Sequence, residues 1–270
     1  MNTPNLFQLE AADGTVLAGR EWRPNGPEEH HVLLVHGLGE HLARYDYLGE
    51  SLAEFGVRTL GVDLRGHGMS KGRRGHVRRW SDYICDLEAT AAMMPDKFVL
   101  LAHSMGGLVA LDYLRNHSDR VTRTVLSGPL VGEVVDNPAW KKSMVRFLSA
   151  VLPCIPIDNG IPMVDLCTDA EEVARFERDS MRVKTVTPRW YTEMLAATDR
   201  VWEAVPNFTT PLHLHVAGEE KIIDREALER LYQDWPAAKQ RWVWEGGYHE
   251  ILHEPFREGV VAAMLEGIRG

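Results

Sequence analysis

The chain has 270 residues, 44% hydrophobic and 26% charged, a balance that fits one large globular α/β domain or one domain carrying an insertion. A net charge of −9 argues against a nucleic-acid surface and against general attraction to anionic membranes. Three cysteines (Cys85, Cys154, Cys167) are odd in number and lack metal-ligand spacing, which points to reduced thiols in a cytoplasmic setting rather than a disulfide framework. The opening Met1-Asn2-Thr3-Pro4-Asn5 has no basic segment and no long apolar run follows it. Neither a signal peptide nor a membrane span is expected, so any membrane contact would be peripheral.

Residues 7–11 and 16–22 are short strand-like runs flanking Asp13-Gly14, a turn dipeptide, and predict a β-hairpin. Residues 24–29 form a polar loop. From His31 the pattern changes to short apolar runs alternating with amphipathic segments. Val32-Leu33-Leu34-Val35 predicts a buried parallel strand, 45–55 a helix, 58–62 a strand, and 81–94 a helix opening on a Ser81 cap. Residues 98–102 predict a strand, 105–116 a helix and 121–127 a strand. Such alternation implies a mostly parallel sheet covered by helices on both faces.

The alternation stops at Pro129 and resumes near Pro211. In between, Trp140, Met144, Phe147, Leu148, Val151 and Leu152 recur at helical spacing and give a helix with one apolar face, ended by Pro153 and Pro156. Residues 171–182 and 188–202 also predict helices. The sheet pattern returns at 212–217, followed by a helix (225–232), a last strand (240–244) and a closing helix (258–268). The plan is an α/β core, residues 1–128 and 211–270, interrupted by a helical insert, 129–210.

The run Phe98-Val99-Leu100-Leu101-Ala102-His103-Ser104-Met105-Gly106-Gly107 takes an apolar strand into a serine and straight on into a helix. A serine at such an elbow stands above the sheet, and the amide of Met105 lies at a helix N-terminus, free to stabilise an oxyanion. The alternative is a serine that merely caps the helix. A serine hydroxyl needs a base, and among 12 histidines the best placed is His249, after the last strand. The loop after the preceding strand, Gly218-Glu219-Glu220-Lys221-Ile222-Ile223-Asp224, offers three acids to orient it: Glu220 first, then Asp224, then Glu219. The order Ser104, Glu220, His249 suits a hydrolase on this sheet.

A second oxyanion donor is expected from His36-Gly37-Leu38-Gly39-Glu40-His41, at the Leu38 amide. His36 and His41 lack a carboxylate or cysteine partner at ligand spacing, so no metal site is expected. Asp63 and Arg65 are placed to brace loops around the site. Lys71, Arg73, Arg74, Arg78 and Arg79 crowd one loop, which is either a solvated face or an attractor of an anionic head group or fatty carboxylate.

The motifs His36-Gly37-Leu38-Gly39-Glu40-His41 with Arg44-Tyr45, Asp63-Leu64-Arg65-Gly66-His67-Gly68-Met69-Ser70, His103-Ser104-Met105-Gly106-Gly107 and Tyr248-His249-Glu250 together resemble the α/β-hydrolase superfamily. More narrowly the chain resembles its monoacylglycerol lipase and lysophospholipase branch, the serine aminopeptidase S33-like hydrolases, from about Leu6 onward. The resemblance implies an α/β-hydrolase fold with a helical cap (129–210) inserted after the sixth strand. It also implies Ser104 as nucleophile, His249 as base, and the Leu38 and Met105 amides as oxyanion hole. The branch usually has aspartate where this chain has Glu220, so either the loop adjusts to the longer side chain or Asp224 substitutes. Ala102 is a milder departure from the usual glycine. The expected activity is cofactor-free hydrolysis of single-chain lipid esters through an acyl-enzyme on Ser104, with Trp140, Met144, Phe147 and Leu148 lining an acyl channel. The competing readings are a short-chain esterase, a thioesterase, an aminopeptidase-like hydrolase, or a non-catalytic binding shell.

Overall fold

The computed structural model describes residues 3–132 and 139–270, so residues 133–138 of the expected insert, with Met1 and Asn2, lie outside the described residues. β1 (Asn5–Glu10) and β2 (Val16–Trp22) form the antiparallel hairpin, turning at Gly14 with φ of 83°. The chain continues through β3 (His30–Val35), α1 (Asp46–Glu54), β4 (Val57–Val62), α2 (Ser81–Ala91), β5 (Phe98–His103), α3 (Met105–His117) and β6 (Val121–Ser127). The segment to Pro211 holds α4 (Ala139–Val151), β7 (Ile157–Asp158), α5 (Ala170–Glu177), β8 (Thr185–Val186) and α6 (Pro188–Ala204). β9 (Leu212–Ala217), α7 (Arg225–Asp234), β10 (Lys239–Trp244) and α8 (Arg257–Arg269) complete it.

The main sheet has eight strands in the order β1-β2-β4-β3-β5-β6-β9-β10, antiparallel at β1/β2 and β2/β4 and parallel elsewhere. Its apolar strands bury both faces because alternate residues point opposite ways. Leu33, Leu100 and Leu126 meet α2, α3, α6 and α7 residues on one side. Val32, Leu34, Val99 and Leu101 meet Leu48 and Leu52 of α1 and Val260 and Met264 of α8 on the other. Each such fully buried side chain stabilises the fold by about 1.5–3 kcal/mol.

Strand register levels the functional edge. Val35 pairs with Ala102, His103 with Ser127, Ser127 with His215 and Ala217 with Trp244, so the loops after β3, β5, β9 and β10 open at one rim. The strand order reverses direction at β3, with β4 on one side and β5 on the other, which makes the crevice between the β3 and β5 loops the natural ligand position.

Four local features differ from expectation. Ser81 does not cap α2: the preceding Trp80 is already helical, and the Asp82 carboxylate accepts from the Arg79 amide at 3.1 Å instead. The helix expected over 171–182 starts from an Asp169 cap and stops at Glu177, where Arg178 N donates to Ala174 O at 3.3 Å; beyond it Val183 N donates to Gly39 O at 2.9 Å. β7 and β8 make a two-stranded ribbon that sequence pattern did not announce. Finally, α6 is part of the core, with Trp190, Met194, Ala197 and Val201 buried in the same cluster as α3. No helix among the described residues is long and apolar enough to cross a membrane.

Candidate active site

Ser104 has φ of 52° and ψ of −122°, the one non-glycine residue at positive φ among those described. That strain costs of order 1–3 kcal/mol and persists because the surroundings hold the turn. Ser104 N donates to Ser127 O at 3.0 Å, and Ser104 O accepts from Gly107 N at 2.8 Å and Leu130 N at 2.9 Å. Gly106 permits the close approach: a Cβ there would lie 2.4 Å from the carbonyl oxygens of both Val35 and His36. Ala102 fills the first elbow position while fully buried. The Ser104 side chain makes no capping bond to α3.

Instead its hydroxyl donates to His249 Nε2 at 2.9 Å. His249 Nδ1 donates to Glu220 Oε2 at 2.9 Å, and Glu220 Oε1 accepts from the amides of Ile222 at 2.9 Å and Ile223 at 3.2 Å. Of the three acids in that loop, Glu220 alone reaches the histidine. Glu219 is exposed, and Asp224 caps α7, accepting from Glu226 N at 3.0 Å. The extra methylene of glutamate is absorbed by the turn that offers Glu220 two amides.

Burial pushes the His249 imidazole toward neutrality, but the carboxylates of Glu220, Glu250 and Glu40 outweigh it and raise its pKa above the ordinary value. Burial alone would raise the Glu220 carboxyl, yet the His249 charge, its hydrogen bond and the two amides bring it below the usual range. The amides of Leu38 and Met105 face no acceptor among the described residues.

A buried ionic bridge that sequence reasoning missed flanks these groups. Arg44 donates to Glu40 Oε2 at 3.1 Å and, bidentately, to Glu250 at 2.8 and 2.6 Å. Glu40 Oε1 also accepts from Gly37 N at 2.5 Å and the Tyr45 hydroxyl at 2.7 Å. Arg44 thereby ties the β3 loop to the β10 loop, and its guanidinium lies 3.8 Å from the Phe176 ring centroid of α5. Arg44-Tyr45 and Glu250 stood in the motifs, but no spacing rule joins residues so far apart. Asp63 braces as expected, accepting from Leu42 N and Met69 N, each at 2.8 Å. Arg65 pairs with Asp86 and Asp13. His36 Nε2 accepts from Leu64 N at 2.8 Å and His41 pairs with Asp179 at 2.7 Å.

Over Ser104 lies a narrow cleft of about 30 Å³, lined by Leu38, His249 and Glu250 from the core and by Asn159, Ile161, Met163, Phe176 and Arg182 from the insert. A larger hollow of about 610 Å³ beside Pro24, Phe55 and Arg269 contains no serine, threonine or cysteine and does not include Ser104. Trp140, Met144, Phe147 and Leu148, expected to line an acyl channel, do not line the cleft. Trp140 and Phe147 are 63% and 65% exposed, Met144 is exposed too, and Leu148 is half-buried. The buried side of α4 carries Ser149, bonded to Thr192 of α6, so the apolar stripe is turned outward.

This sheet, elbow and Ser104–His249–Glu220 array have the architecture of an α/β-hydrolase. The chain belongs to the serine aminopeptidase S33 family, whose sequence profile matches residues 26–256. It is similar to the phospholipase YtpA of Bacillus subtilis, 31% identical over 86% of this chain and 92% of that one. An uncharacterized abhydrolase domain-containing protein of Dictyostelium discoideum is 29% identical over 99% of this chain, which spans only 29% of that longer relative. Among solved structures, the monoacylglycerol lipase of Paleococcus ferrophilus superposes with a TM-score of 0.86 at 26% identity, covering 93% of this chain and 97% of that one.

Proposed function

We propose that the protein hydrolyses carboxylic esters of single-chain lipids, monoacylglycerols or lysophospholipids, through an acyl-enzyme on Ser104. The observation that carries this reading is the unbroken relay of 2.9 Å contacts from Ser104 Oγ through His249 to Glu220. His249 Nε2 takes the hydroxyl proton as Ser104 attacks the ester carbonyl. The Leu38 and Met105 amides receive the developing oxyanion, each contributing on the order of 3 kcal/mol to the transition state. Collapse expels the head-group alcohol with the proton from His249. Water, activated by the same imidazole, then releases the fatty acid.

Glu220 holds the imidazole in the tautomer that leaves Nε2 free and stabilises the imidazolium once formed. Within the 129–210 insert, the stretch from Asn159 to Val183 acts as the cap, since it supplies one wall of the cleft. The phospholipase and monoacylglycerol lipase among the relatives support a lipid ester as substrate. We assign the outward stripe of α4 to contact with a lipid surface, where exposed Trp140, Met144, Phe147, Val151 and Leu152 would be covered. The free thiols of Cys85, Cys154 and Cys167 suit a reducing cytoplasm.

Turnover measured side by side on monoacylglycerol and lysophosphatidylcholine tests the substrate class. Fluorophosphonate labelling tests the nucleophile: Ser104→Ala should stay folded and lose all labelling. Full labelling of that variant would place the nucleophile elsewhere.

A further inference from the structure

The ribbon β7/β8 positions two polar side chains over the β3 loop. Asn159 follows β7 and its backbone N donates to Lys184 O at 3.0 Å, while the backbone N of Val183, two residues before β8, donates to Gly39 O at 2.9 Å. Arg74 fixes the same stretch from the core side, donating to Met181 O at 2.6 Å. Asn159 and Arg182 therefore sit on a segment bonded directly to the Gly37-Leu38-Gly39 loop, and both line the cleft over Ser104.

Their donors are unfilled. Asn159 Oδ1 accepts from Ile161 N at 3.1 Å, which identifies the oxygen end of the amide and leaves Nδ2 without an acceptor among the described residues. Arg182 is half-buried and has no carboxylate partner among those residues; its guanidinium rests 5.3 Å from the Phe176 ring centroid. The acceptors of the cleft are in the opposite condition. Glu40 and Glu250 are its other charged lining groups, and all four of their carboxylate oxygens are already engaged by Arg44, Tyr45 and Gly37 N. A cleft whose carboxylate oxygens are already engaged, and whose Asn159 and Arg182 side-chain donors have no acceptor among the described residues, favours a ligand rich in acceptor oxygens, with Arg182 as the point that receives a negative charge.

We propose that Arg182 and Asn159 form a head-group subsite that binds the phosphate of a lysophospholipid, so that the phosphorylated substrate is preferred over the neutral monoacylglycerol. This rests on the lipid-esterase reading and narrows it. Arg182 takes two phosphate oxygens through its planar fork and Asn159 Nδ2 a third contact, while the ester carbonyl lies between Ser104 and the Leu38 and Met105 amides. The reaction remains hydrolysis: the acyl–oxygen bond breaks, water supplies the hydroxyl of the fatty acid and the proton of the glycerophosphodiester.

The test compares kcat/KM for 1-lauroyl lysophosphatidylglycerol and 1-lauroylglycerol, both in neutral detergent micelles at fixed mole fraction, in the unmodified protein, Arg182→Gln and Arg182→Lys. The ratio of the two should fall by about tenfold or more in Arg182→Gln, the scale of one charge-assisted contact, and recover in part in Arg182→Lys. A ratio that stays within twofold of the unmodified protein overturns the subsite. A second measurement needs no variant: sn-glycerol 3-phosphate should inhibit p-nitrophenyl butyrate hydrolysis at a concentration about tenfold lower than glycerol, and equal inhibition counts against the proposal. If neither lipid is turned over, the lipid reading fails by itself, and the inhibition pair still decides whether Arg182 and Asn159 bind phosphate.

Discussion

Replacing Glu220 by Gln probes the site at its most informative atom. The carboxylate uses both oxygens as acceptors: Oε2 from His249 Nδ1, Oε1 from the Ile222 and Ile223 amides. A glutamine has one acceptor end, so either orientation sets its NH₂ against a donor. Facing its oxygen to the two amides is the better choice, and the NH₂ then meets His249 Nδ1. The imidazole must give up its Nδ1 proton and carry it on Nε2, where it can no longer accept from Ser104. In serine triads the wrong tautomer costs about 10⁴ in kcat, and we expect a loss of about 10³ to 10⁴ here. The pH profile should move as well. Imidazolium is the inactive form, so the raised pKa of His249 places the acid limb of the unmodified enzyme above pH ~6.5. Removing the Glu220 charge shifts the residual limb to lower pH. Stability follows by linkage: the raised His249 value contributes below its unfolded pKa of about 6.5 and fades as pH rises through the folded value. The depressed Glu220 value contributes above its unfolded pKa of about 4.3 and fades on acidification. The stability gap between the two proteins should therefore be widest between roughly pH 4.3 and 6.5. The assay is kcat/KM on p-nitrophenyl butyrate from pH 5 to 9, normalised to folded protein, with urea unfolding at pH 5.5 and 9. Asp224→Ala is the control, expected to cost about 0.5–2 kcal/mol of stability through the lost α7 cap while keeping its activity. A Glu220→Gln enzyme within tenfold of the unmodified one, or an Asp224→Ala enzyme as impaired as Glu220→Gln, would refute the assignment.

The parallel strands and the elbow were legible because their signals are local. Near-continuous apolar runs of strand length, alternating with helical patterns, fit doubly covered parallel strands, and a serine with small neighbours between strand and helix marks one kind of turn. The acid was not legible from its own residues, since Glu219, Glu220 and Asp224 differ only in direction; the two amides that anchor Glu220 belong to a turn set by tertiary contacts. α4 shows a further limit. Periodicity at 3.6 residues reveals that Trp140, Met144, Phe147 and Val151 share a face, but not whether that face meets protein or solvent. The buried side of the same helix is made by less conspicuous residues such as Ser149. β7 and β8 pair only two residues each, too few for an alternation to register, although their ribbon carries Asn159 and Arg182 to the cleft. The Glu40–Arg44–Glu250 bridge is invisible for the same reason: it exists only once β3 and β10 have delivered their loops to one rim.

Gly106→Ala should disrupt the elbow, because its new Cβ would lie 2.4 Å from two backbone carbonyls of the adjoining β3 end that cannot swing aside. Loss of fluorophosphonate labelling with a lowered thermal midpoint is expected, and native labelling at native stability would contradict the packing. The outward stripe of α4 makes the opposite prediction about stability. Phe147→Asp places a charge on a side chain already 65% exposed, so folding should change by no more than about 0.5 kcal/mol, as for surface substitutions generally. If the stripe meets lipid, that charge must weaken co-sedimentation with phosphatidylcholine vesicles by tenfold or more while hydrolysis of soluble p-nitrophenyl butyrate persists. A loss of both together would mean that Phe147 packs inward on the cleft during turnover. Undiminished vesicle binding would leave the stripe with no role at a lipid surface.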